Sequence, residues 1–242
     1  MPRDRTLVAT SALLFLASAA VTVWLCAPMS GGMPMPGGWT MSMAWMRMPG
    51  QSWPGAALSF TVMWIVMMIA MMIPSLVPSL SAFHRFRFAV ALGYFLVWAA
   101  CGAIAYPIGV AWAIALMRSP SLARVVPIEA GVAVLLAGSV QFSRWKGRQL
   151  ECCTGVSDAN ASTETAAFRD GIVLGSRCVL CCAGFLTVLF VAGVMDLRAM
   201  AAVTAAITIE RLASNPQRVA RAFGVLVMAA GGLLIVSSLS FR

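Results

Sequence analysis

Sulfur is concentrated at two places in this 242-residue chain. Five of its seven cysteines fall in two groups, Cys152-Cys153 and Cys178-x-x-Cys181-Cys182; Cys26 and Cys101 sit alone in apolar runs and read as small buried residues. On a helix the positions three and four beyond Cys178 share its face, so Cys178, Cys181 and Cys182 can point one way. Cys152 and Cys153 can then complete a site from an adjoining loop. A thiolate is the metal-binding form, and Arg177 beside Cys178, with Arg144, Lys146 and Arg148 beside the loop pair, would help to hold negative charge. Such thiolates suit Cu(I) or Zn²⁺, and softness alone does not choose between them. Two other readings stay open: a thiol-disulfide relay between Cys178-Cys181 and Cys152-Cys153, and tight helix packing beside Gly171-x-x-x-Gly175 in a non-metal assembly subunit of a larger membrane complex.

Residues 29 to 48 hold seven of the chain's 17 methionines: Met29, Met33, Met35, Met41, Met43, Met46 and Met48. Thioether sulfur is a soft, uncharged ligand that selects Cu(I) over hard cations, and it tolerates an oxidising exterior where free thiols do not persist. The spacings Met33-x-Met35, Met41-x-Met43 and Met46-x-Met48 let a flexible backbone fold two or three sulfurs around one ion. The competing reading is an adaptable apolar flap at a membrane interface, built from the same methionines with Trp39, Trp45 and Trp53. A second run, Met63, Met67, Met68, Met71 and Met72, repeats at four-residue steps and lines one face of a helix, as a thioether path or as packing.

Other chemistry is sparse. His84 is the only histidine, which excludes a His-rich metal site, and in His84-Arg85-Phe86-Arg87 it reads as part of a headgroup-facing loop. No Walker-type phosphate loop is present, so ATP-driven transport by this chain alone is not expected, and no redox-cofactor signature appears; whether the chain is an enzyme stays open, with the reading leaning against it. Glu129, Gln141, Asp196 and Glu210 fall in or at the ends of apolar segments, where ionisable groups are functional candidates by default. Proximity predicts that Asp196 and Glu210 pair with Arg198 and Arg211 at an interface.

The elements that must position these residues are membrane helices. The chain is 61% hydrophobic and only 10% charged, against about a quarter charged in soluble domains. That rules out a soluble enzyme and predicts an all-α, polytopic transmembrane bundle forming one domain over residues 1–242. Spans are expected near residues 7–27, 57–80, 89–116, 125–142, 172–195 and 222–241, with a short one near 199–213 that makes seven rather than six. The first is read as a retained span rather than a cleaved signal. Residues 28–56 form a Met/Pro/Gly-rich outer loop and 143–170 a cytoplasmic loop.

The net charge of +9 reads as orientation, since Lys and Arg gather in cytoplasmic loops, rather than as a nucleic-acid footprint. Seven crossings place most of the basic residues on one side, with the N-terminus cytoplasmic. The expected setting is a bacterial inner membrane, the lipid bilayer is the expected partner, and a metal donor or acceptor protein is a further one.

From about residue 57 onward the chain resembles a bacterial family of unknown function described as predicted metal-binding integral membrane proteins, some of whose members carry a copper-chaperone label. The resemblance rests on Met67-Met68-Ile69-Ala70-Met71-Met72-Ile73-Pro74-Ser75, on Gly175 through Cys178, Cys181 and Cys182, and on Gly193-Val194-Met195-Asp196. The chain departs from the family's common pattern in setting Cys152 next to Cys153 and in placing Ala183 after Cys182. What the resemblance implies is a metal-binding membrane protein, with copper as the metal that some members' label names.

Overall fold

The computed structural model describes residues 2–27, 31–48, 50–83, 85–154 and 163–240, with side chains for 5–27, 31–48, 50–83, 85–150 and 163–240. His84, Met29 and the side chains of Cys152 and Cys153 lie outside the described residues. The helices are α1 (Pro2–Cys26), α2 (Trp53–Ala82), α3 (Arg87–Arg118), α4 (Pro120–Val140), α5 (Arg144–Thr154), α6 (Glu164–Ala192), α7 (Leu197–Leu212) and α8 (Pro216–Ser240). A small hairpin of β1 (Met33–Met35) and β2 (Trp39–Met41) and a 3-10 turn at Met43–Trp45 fill the segment between α1 and α2. The all-α expectation therefore holds apart from that hairpin.

Among the described residues six helices are long and apolar enough to cross a membrane: α1 from Arg5, α2, α3, α4, α6 and α8. The 16-residue α7 is not among them; at about 1.5 Å per residue it measures about 24 Å, short of a hydrocarbon core of about 30 Å. The supposed cytoplasmic loop 143–170 needs correction, because Arg144–Thr154 is helical. So does the start of α6: it begins at Glu164, capped by the Thr163 hydroxyl accepting from the Ala166 amide at 3.2 Å. Hydropathy marks only the apolar part of a helix, and here two polar turns precede it.

Close helix approach organises the bundle. α3 packs along α6, and α4 along α8. Gly171 and Gly175 of α6 lie against the backbone of α3 at Val90 and Tyr94; a Cβ on Gly175 would stand 2.9 Å from the Tyr94 carbonyl oxygen. Small residues at four-residue spacing let two backbones touch in this way, where lipid offers no hydrophobic drive. This contact sets Cys178, three residues beyond Gly175, opposite Tyr94.

α2 is the most enclosed helix. It runs through Pro74 and Pro78, where the missing amides break the i to i−4 ladder, a lapse that neighbouring helices make tolerable in a bundle. Met63, Met67, Met68, Met71 and Met72 are all buried, in one cluster with residues of α3, α6 and α7. Above them, toward the hairpin, Trp45 stacks with Phe60 and Phe190 at 5.3 and 6.1 Å, and Trp64 lies 5.9 Å from each of these two phenylalanines. Trp39 donates to the Ala123 carbonyl at 2.8 Å. Both tryptophans anchor the hairpin to the bundle.

Candidate metal centre

Two of the candidate sulfurs lie beside Cys178. Its Sγ lies 3.9 Å from the Cys182 Sγ one turn along α6, and 3.9 Å from the Met72 Sδ on α2. All three side chains are buried. Two sulfurs each about 2.3 Å from one ion would stand about 3.8 Å apart at a tetrahedral angle and about 4.0 Å apart at a trigonal one. The observed spacing is therefore that of donors able to share an ion. Among the described residues no three His, Cys, Asp or Glu side chains form a group that could hold a metal; what Cys178 has beside it is one further thiol and one thioether, each 3.9 Å away.

Polar groups from three further positions surround this cluster. The Tyr94 Oη of α3 is 2.9 Å from the Cys178 Sγ. Arg211, near the end of α7 and only 6% exposed, places Nη1 3.4 Å from the same sulfur and donates to the Ser75 hydroxyl of α2 at 3.1 Å. The charge held against Cys178 is thus Arg211, not the neighbouring Arg177, which is exposed. Adjacency in sequence misled here, because Arg177 lies one helical position, about 100°, off the buried face.

Cys181 hydrogen-bonds the neighbouring Cys182 and also engages partners of its own. Lys146 of α5 donates to the Cys181 carbonyl at 2.6 Å, sits 3.7 Å from its Sγ, and forms an ion pair with Glu210 of α7 at 2.5 Å. Lys146 and Glu210 are 3% and 1% exposed. Burial alone would lower the Lys146 pKa, but the negative charge available at Cys181 and Glu210 outweighs it, and the net shift is upward. The expected Glu210–Arg211 pairing is replaced by two separate contacts: consecutive residues of one helix diverge, Glu210 toward α5 and Arg211 toward α2 and α6. Asp196 likewise does not pair with Arg198 through its side chain. It caps α7, accepting from the Arg198 and Ala199 amides at 2.8 and 3.0 Å.

The remaining sulfur candidates divide by depth. Met67, Met68, Met71 and Met72 are fully enclosed on α2, and only Met72 touches the cysteines in a contact short enough to share an ion. In the hairpin, Met33 pairs with Met41 across the strands and Met35 with Trp39. Directly opposed residues share a face of a two-stranded ribbon, so Met33, Met35 and Met41 lie on the same side. Met41 is buried whereas Met33 is exposed. Met43 and Met46 are half-buried at and just after the 3-10 turn, and Met48 is exposed. Glu129 lies on an exposed face of α4, and Gln141 is buried at that helix's end, where its amide nitrogen would stand 3.9 Å from a Cβ on Gly184 of α6.

Sequence reasoning passed over Tyr94, Ser75 and Arg211 as members of the site, and assigned Lys146 to the loop thiols. One signal was available: Glu210-Arg211 ends a short apolar segment, where a charged pair is expensive and must find partners inside the protein.

The arrangement is a polytopic helical bundle with a sulfur cluster and a buried guanidinium in its core. The chain belongs to a family of copper chaperones, PpoB2, whose model matches residues 61–234. The matched stretch contains the methionines of α2, the three cysteines of α6 and Arg211, and it excludes α1 and the hairpin. No curated protein and no solved structure matches the chain.

Proposed function

We propose that this protein carries Cu(I) across or within a membrane for delivery, binding it between Cys178, Cys182 and Met72. The observation that carries the reading is the pair of 3.9 Å sulfur spacings in a fully buried pocket beside Arg211. Charge supports the monovalent ion. When both thiols bind as thiolates, together with Arg211 they leave one net negative charge, while Lys146 and Glu210 cancel each other. Cu(I) brings the buried group to neutrality, whereas Zn²⁺ would leave an uncompensated positive charge at low dielectric. The outer methionines Met33, Met35, Met41, Met43, Met46 and Met48 are the capture surface in this reading. Met67, Met68 and Met71 line the approach to Met72, and Cys152 and Cys153 receive the ion with Cys181.

α7 is a short seventh crossing in the same proposal. It turns back against α6 after Gly193, and by Arg211 it has reached the level of Cys178; α8 then starts beside α5, where Ala220 packs with Leu150. Seven crossings put Arg5, Arg85, Arg87, Arg144, Arg148, Arg218 and Arg221 at one end, which the charge rule assigns to the cytoplasm together with the N-terminus. A relay in which Cys178 and Cys181 exchange electrons with Cys152 and Cys153 has less support, since Cys178 faces α2, α3 and α7 whereas Cys181 faces Lys146 of α5.

The test is copper content after anaerobic Cu(I) loading of the full chain in detergent. Cys178→Ser/Cys182→Ser should lose bound copper, Met72→Leu should weaken it, and Cys101→Ser should leave it unchanged. Equal loading of the double variant and the wild type would remove the proposal.

A further inference from the structure

A second sulfur contact lies at the other end of the bundle. The Cys26 Sγ, at the end of α1, is 3.6 Å from the Met195 Sδ in the α6–α7 turn, 169 positions away in sequence. Both side chains are buried, and both belong to the cluster that contains the methionines of α2. Met195 also lines a cavity of about 340 Å³ between that turn and the hairpin, where Gly32, Thr40 and Ser42 face Gly193 and Asp196. The hairpin's direct route to Met63 is filled by the stacked rings of Trp45, Phe60, Trp64 and Phe190. Met195 is thus both a lining residue of the cavity and the owner of the thioether that meets the Cys26 thiol.

We propose that Cys26 and Met195 form a second soft-metal site, which takes a monovalent ion such as Cu(I) or Ag(I) from the cavity. Two donors about 2.3 Å from an ion and 3.6 Å apart subtend about 100° at it, leaving a position open toward the cavity for an incoming ligand. Binding exchanges the thiol proton, released to water in the cavity, for the ion, with no change of oxidation state. One thiolate with one monovalent cation is neutral, so the buried pair needs no counter-ion; a divalent ion would leave a charge there. As a station between the hairpin and Cys178, the site rests on the function proposed above, but its occupancy can be tested separately.

Silver stoichiometry of the full chain in detergent is the measurement, with Ag(I) as the probe because it needs no reductant. Cys26→Ser and Met195→Leu are each expected to bind one ion fewer than the wild type; Cys178→Ser/Cys182→Ser is expected to lose a different ion, and the combination both. Unchanged stoichiometry in Cys26→Ser and Met195→Leu overturns the proposal, whatever the other variant does. An unchanged count in Cys178→Ser/Cys182→Ser alone would remove the Cys178 site and leave this one standing. Peptide-resolved maleimide labelling of the wild type covers the case in which Cys26→Ser does not fold. Ag(I) should slow alkylation of Cys26 about tenfold, since only the free thiolate reacts; no slowing overturns the site.

Discussion

At the scale of single residues, the ion preference of the proposed Cys178 site turns on Arg211. Its guanidinium is fixed by Ser75 and rests against the Cys178 sulfur, so its charge is present whether or not an ion is bound. Arg211→Gln would leave two thiolates without that charge, and a divalent ion would then be the neutral choice. The preference for Ag(I) over Zn²⁺, read by competition in detergent, should fall by at least about tenfold, or about 1.4 kcal/mol, and Arg211→Lys should restore most of it. An unchanged preference in Arg211→Gln would detach charge from selectivity. Lys146 and Glu210 pose a different question, because each is buried only in the company of the other. Lys146→Met should cost about 3–5 kcal/mol by stranding a carboxylate. Lys146→Met/Glu210→Met should recover most of that, as thermal unfolding in detergent will read; equal losses would mean the pair is not coupled.

At the scale of elements, the site depends on how closely α6 meets α3. Gly175 has its would-be Cβ 2.9 Å from the Tyr94 carbonyl, whereas Gly232 on α8 has nothing within 4 Å. Gly175→Ala should therefore push the helices apart, cost about 1–3 kcal/mol, and weaken metal binding at Cys178, while Gly232→Ala should leave both unchanged. Loss of binding in neither, or in both, would contradict this account of the packing.

The same contrast explains what was legible beforehand. The six long helices follow from uncharged run length, because a hydrocarbon core imposes that length on any segment crossing it. The i, i+4 relation of Cys178 and Cys182 follows from helical periodicity alone. Met72 stood out only as one methionine in a row of five, since its contact with Cys178 is made between helices 106 positions apart in sequence. Arg211 and Lys146 were legible as charges but not as site members. Their direction depends on where α7 and α5 lie against α6, and local pattern carries no such information. α5 was read as a loop for the opposite reason: its charges break the apolar run, although an 11-residue helix forms through them.

At the scale of the whole molecule, the distribution of sulfur and charge gives the bundle two unlike ends. The hairpin, the α3–α4 turn at Ser119 and the α6–α7 turn share one end, tied together by the Trp39 bond to Ala123 and the Trp45 stack on Phe190. α5 and the start of α8 share the other, where Leu150 meets Ala220. The short α7 connects the two, so its traverse decides whether the Cys178 site can pass an ion from one face to the other. If α7 crosses, a cysteine placed by Ser214→Cys in a cysteine-free chain should react with an impermeant maleimide only from the cytoplasmic face, and one placed by Ser121→Cys only from the opposite face. Reaction of both from the same face would return the count to six. It would also put Glu210 and Arg211 at an outer surface, incompatible with their burial beside Cys181 and Cys178, so the labelling result tests the topology and the placement of the site in one measurement.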